Sequence, residues 1–76
     1  MKISDSIRIA RQNLFLSQEE LAKELKVSVC TVNRWEMGKA RPNNTAMKRI
    51  KTFCELNKID FDAIKTAWLF DSEEQL

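Results

Sequence analysis

Ser17–Met37, reading SQEELAKELKVSVCTVNRWEM, holds two short helical patterns back to back, each opened by a serine. Glu20 follows Ser17 at the spacing of a reciprocal capping box, in which the hydroxyl takes the Glu20 amide and the carboxylate reaches back to the Ser17 amide. Leu16 and Leu21 stand at the two positions of a hydrophobic staple around that cap. The second unit repeats the plan with Val27, the cap Ser28 and Val32. Between the two starts there is room for only about two turns of helix and a tight connection. That spacing makes the helices cross steeply, the unit called helix-turn-helix.

On a helical wheel the second of these helices has two distinct faces. Ser28, Val32 and Trp35 fall on one side, with Glu36 on its flank, while Cys30, Asn33, Arg34 and Met37 fall on the other. An ordinary amphipathic helix fills its outer face with Glu and Lys. This one carries Val29, Cys30, Thr31, Asn33 and Arg34: short uncharged groups first, then an amide and a guanidinium. Short residues let a helix end approach a flat surface closely, and Asn and Arg have the bidentate geometry suited to base edges.

Working outward, 76 residues with one Gly and one Pro make a single small domain whose core must come from several short helices. The net charge of +2 hides a division. Residues 1–51 hold eleven Lys or Arg against five Asp or Glu, and residues 52–76 hold two against six. Lys26, Arg34, Lys39, Arg41, Lys48, Arg49 and Lys51 gather after the first two helices, opposed there only by Glu36. A solvated charged face is the ordinary reading of any one of them. As a cluster beside a helix-turn-helix they favour a polyanionic partner.

In chain order the pattern predicts five helices and an all-α fold. The first runs from about Asp5 to Leu14 with Ser4 as its cap, turning Ile7, Ala10, Leu14 and Ile3 inward. The next two are the quoted stretch, stopped by Gly38 as a left-handed exit. Asn43 or Asn44 caps a fourth helix, on which Ala46, Met47, Ile50, Phe53 and Cys54 form a stripe that Asn57 ends. Asp60 caps a fifth, stapled by Ile59 and Ile64, with Phe61, Ile64 and Trp68 on one face. Residues 1–70 are expected to form the domain and residues 71–76 an acidic tail. Trp68, Leu69 and Phe70 exceed what so small a core needs from a last helix. They complete the monomer core or make an isologous dimer contact, and Trp68, which shares the inward stripe, favours the core.

The pattern formed by Arg11, Ser17 to Ala22, Leu25, Val27, Ser28, Val32, Trp35, Glu36, Gly38 and Pro42 resembles the lambda repressor and Cro-like, or XRE-type, helix-turn-helix family. The resemblance covers roughly Ile3 to Phe53. It implies a compact five-helix, lambda-repressor-like domain that binds double-stranded operator DNA. In that family binding is usually as a homodimer over a pseudo-palindromic site, with the third helix in the major groove. Carried over by position, Val29, Cys30, Asn33 and Arg34 are the expected base readers. Gln18, Ser28, Thr31, Lys39, Arg41 and Asn43 are the expected backbone contacts. Arg11 and Glu36 resemble a paired Arg–carboxylate that ties the first helix to the end of the third.

Two positions depart from the family. Phe15 and Lys26 stand where glycine is common, and a left-handed backbone there strains each by about a kcal/mol. In the reading helix, Val29 and Cys30 lack the bidentate groups of glutamine, so contact with thymine methyls is their expected role. Arg34 is the expected guanine contact.

No histidine occurs, which removes most general-base and zinc arrangements, and no Gly-rich phosphate loop exists. No catalytic residue, metal or cofactor is expected. Cys30 and Cys54 fit neither a disulfide framework nor a CxxC pair, so both are expected as reduced thiols in a cytoplasmic protein. No apolar run approaches the roughly 18 residues of a bilayer span, and the N-terminus lacks the apolar stretch of a signal peptide. Two roles remain: a DNA-binding regulator such as a repressor, or an antitoxin-like module that binds a protein partner through its C-terminal helix.

Overall fold

Five helices fill residues 2–70, the part of the chain that the computed structural model describes: α1 (Ile3–Asn13), α2 (Gln18–Leu25), α3 (Val29–Glu36), α4 (Asn44–Leu56) and α5 (Phe61–Phe70). There is no strand among the described residues, as expected, and the acidic tail lies outside them. Helix α3 crosses α2 and rests on α1, α2 also packs on α4, and α5 closes the bundle against α1 and α4. Leu25, Val32 and Cys54 are fully buried at the centre. An aliphatic side chain so placed contributes about 1.5–3 kcal/mol.

The caps follow the sequence closely. Ser17 Oγ accepts the Glu20 N–H at 3.0 Å, and Glu20 Oε1 accepts the Ser17 N–H at 2.8 Å. The Ser17 backbone bond holds the Glu20 carboxyl below its usual range. Its share of stability is therefore present above that range and lost as pH falls through the lowered value. Ser28 Oγ accepts the Thr31 N–H at 3.1 Å, and Asn43 rather than Asn44 caps α4, accepting the Ala46 N–H at 2.8 Å. All five residues of the α4 stripe are buried.

The first helix differs from expectation. It begins at Ile3, with Lys2 at the cap position and no side-chain cap bond, so Ser4 lies inside the helix and is buried. Extending the helix to Ile3 puts that side chain one turn before Ile7 on the inner face, where it is 2% exposed. Burying an isoleucine outweighs a serine cap of about 1 kcal/mol.

The exits of α1 to α4 share one geometry. In each, a left-handed residue donates its N–H to the carbonyl three residues back, and the next residue donates to the carbonyl five back: a Schellman motif. The left-handed residues are Phe15, Lys26, Gly38 and Lys58. Phe15 and Lys26 thus carry the strain foreseen for them. Lys58, one position past Asn57, carries a third. The residues that follow these three, Leu16, Val27 and Ile59, pack against the core. That contact offsets part of the strain. After α3 the following residue is the exposed Lys39, which brings no such contact, and here the exit residue is glycine.

Lys26→Gly is accordingly expected to stabilise the protein. Relief of about 1–2 kcal/mol of left-handed strain exceeds the roughly 0.4–1 kcal/mol by which glycine favours the unfolded chain. A thermal melt should show a rise of a few degrees, and a fall would mean that the turn depends on the lysine side chain.

Candidate nucleic-acid interface

Cys30, Asn33, Arg34 and Met37 are exposed along the outer side of α3, with Val29 at its first turn 42% exposed. Val32 and Trp35 anchor the opposite side in the core. The four expected base readers therefore share one accessible surface. It opens on short uncharged groups and ends on a guanidinium.

Behind that surface runs a polar relay. Glu36 is 6% exposed, and its carboxylate takes two parallel bonds from Arg11: Nε to Oε2 at 2.7 Å and Nη2 to Oε1 at 2.9 Å. Arg11 Nη1 also donates to the Leu16 carbonyl at 2.9 Å, fixing the α1–α2 turn. The bond to Glu36 raises the Arg11 pKa further, so this guanidinium stays charged at any working pH. Gln18 Nε2 donates to Glu36 Oε1 at 3.1 Å, and Gln18 Oε1 accepts from Asn33 Nδ2 at 3.3 Å. The structural pair thus extends through Gln18 to Asn33. An exposed amide such as Asn33 is thereby held in one orientation before any ligand arrives.

The expected backbone contacts divide into two groups. Lys39 is exposed and has no ion pair among the described residues. Ser28 Oγ and Thr31 Oγ1 lie 2.8 Å apart at the α3 N-terminus, each with capacity left for another partner. Asn43 spends its oxygen on the α4 cap but keeps its amide N–H groups. Arg41 has partners inside the fold. Its guanidinium carbon lies 5.2 Å from the centroid of the Trp68 ring, and Nη2 donates to the Trp68 carbonyl. Arg49 is likewise engaged, with Nη1 donating to the Lys26 carbonyl at 3.0 Å, where it steadies the α2–α3 turn.

Two features had no local signal in the sequence. Arg49 reads as one more cation of a basic cluster, because its carbonyl partner is 23 residues away. Trp68 reads as core, and the ring is indeed half-buried against it. Its indole Nε1–H also donates to the Pro42 carbonyl at 2.7 Å, so one side chain joins α5 to the loop after α3. Leu69 and Phe70 stay 49% and 60% exposed.

The two thiols sit in opposite settings. Cys30 is exposed on the outer side of α3, while Cys54 is buried and burial, with Asp60 and Glu55 nearby, pushes its pKa up to about 11. A maleimide should label one site per native chain near neutral pH and both sites in denaturant, as mass spectrometry would show. Rapid native labelling of Cys54 would overturn the assigned burial. Among the described residues no group of His, Cys, Asp or Glu is placed to hold a metal, and no helix is long and apolar enough to cross a membrane.

A helix-turn-helix family model matches residues 7–57. The chain is also similar to the HTH-type transcriptional activator BcrR of Enterococcus faecalis, at 36% identity over 53 residues. That match takes in 70% of this chain but 26% of the relative, so the chain spans about a quarter of that protein's length. No solved structure gives a significant match.

Proposed function

The chain belongs to the XRE-type helix-turn-helix family of DNA-binding regulators, and from that membership we propose that it reads a specific double-stranded operator by laying α3 in the major groove. The observation that carries this reading is the outer surface of α3, where an uncharged tip and Arg34 stand exposed while the helix is locked from behind by Arg11, Glu36 and Gln18. Such a surface is pre-ordered for a flat, hydrogen-bonding partner. Val29 and Cys30 meet thymine methyls, Asn33 and Arg34 take base edges, and Arg34 pairs with guanine. Lys39, Ser28, Thr31, Asn43 and the remaining N–H of Gln18 take phosphates, which set register without reading sequence.

Binding is as a homodimer on a pseudo-palindromic site, with the exposed Leu69 and Phe70 supporting an isologous contact through α5. Those two side chains also support a second reading, a protein-interaction module docking a partner on α5. The BcrR relative carries an activator's name, and activation or repression here depends on where the operator lies relative to a promoter.

Selection of bound fragments from a random duplex pool, followed by sequencing, tests the proposal. Enrichment of a two-fold symmetric motif is the expected result. A pool that stays random would favour the interaction module.

A further inference from the structure

The loop that leaves α3 is tied at its two ends, with Ala40 packed against the core. At one end the Lys39 and Ala40 N–H groups donate to the Arg34 carbonyl at 2.9 and 3.3 Å, and at the other Asn43 caps α4. The span between has no regular structure. Its course is fixed from outside, by Trp68: the indole N–H holds the Pro42 carbonyl at 2.7 Å, the ring lies under the Arg41 guanidinium, and the Trp68 carbonyl accepts from Arg41. Pro42 is fully buried beneath this clamp. The family match stops at residue 57, so the clamp comes from a part of the chain outside the shared motif.

We infer that Trp68 is a positioning residue for DNA binding, acting through the Arg41–Pro42 segment to set where Lys39 meets a phosphate. The inference rests on the DNA-binding reading above. Arg41, by this account, acts on the fold side of the loop, stacked on the indole, and leaves the phosphate to Lys39. Because the same loop is bonded to the Arg34 carbonyl, α5 is mechanically joined to the last turn of the reading helix.

Trp68→Phe keeps an aromatic ring under Arg41 while removing the donor to Pro42 and part of the indole's packing, so the comparison is made on folded protein, where a loss of packing alone leaves the salt slope unchanged. Fluorescence anisotropy on the selected duplex and on a scrambled duplex, across a salt series at a temperature where circular dichroism shows the variant folded, supplies the readout. The slope of log affinity against log salt should become shallower by about 0.9, the change for one phosphate no longer neutralised. The loss of affinity should be equal on both duplexes, and adding Trp68→Phe to Lys39→Ala should cost nothing further. An unchanged slope, or losses that add, would overturn the inference. Should Trp68→Phe not fold, Arg41→Met removes the stacking partner from the other side and must give the same slope change alone and none when added to Lys39→Ala; a further change on Lys39→Ala would mean that Arg41 itself meets a phosphate and would overturn the inference. Failure of the unsubstituted protein to bind either duplex would instead sink the DNA-binding reading, and this inference with it.

Discussion

Arg11→Ala is expected to cost about 3–5 kcal/mol of stability, the usual penalty for stranding a buried charge. Glu36 sits 6% exposed with both carboxylate oxygens bonded to Arg11. With the guanidinium gone, only the 3.1 Å bond from Gln18 is left to it. For a domain of this size each kcal/mol moves the melting temperature by about 4–8 °C, so a fall of at least about 12 °C should be seen. Arg11→Lys should recover little, because an ammonium cannot make the two parallel bonds. Replacing both partners by methionine should be much milder than either single change, since no charge is then left in the interior. A single-variant loss under about 1 kcal/mol in urea titrations would show that water reaches the carboxylate. The same variant removes the two bonds that fix the Glu36 carboxylate, to which Gln18 and through it Asn33 are tied, so folded Arg11→Ala protein should also discriminate less sharply among duplexes.

Arg34→Ala carries the second large effect, on recognition rather than on folding. Arg34 is exposed, has no ion pair among the described residues, and contributes no packing to the core, so its loss should leave the melting temperature nearly unchanged. A bidentate guanine contact is worth about 1–3 kcal/mol of discrimination, or roughly 5- to 150-fold between the right and wrong base. Competition titrations against the selected duplex and its single-base variants should show preference collapsing at one position per half-site, with the others intact. Equal losses on selected and scrambled duplexes would move Arg34 from the readers to the phosphate contacts.

What the sequence disclosed, and what it did not, follows from how far each interaction reaches along the chain. Caps, staples and helical stripes are written within a few residues, and Ser17, Ser28 and the α4 stripe from Ala46 to Cys54 emerge where the pattern places them. The two faces of α3 were legible for the same reason. Ser4 misled because a good cap residue stood beside an isoleucine whose burial matters more. The left-handed Phe15 and Lys26 were visible only through family resemblance, for neither residue type announces a positive φ. Lys58 escaped because the neighbouring Asn57 is the better-known helix terminator. Arg41 and Trp68 meet across 27 residues of chain. No periodicity encodes that pairing, so a cation in a basic loop and an aromatic in a core stripe looked unrelated.

The three side-chain-bearing exits at Phe15, Lys26 and Lys58 bear on how this protein can evolve. None of them lies on α3, so a glycine arriving at any one is expected to raise the folding margin while leaving the proposed readers unchanged. Selection removes only variants that drop below the margin function needs. A lineage that had first relaxed one of these corners would tolerate bolder exchanges at Asn33 or Arg34, and new operators would come within its mutational reach.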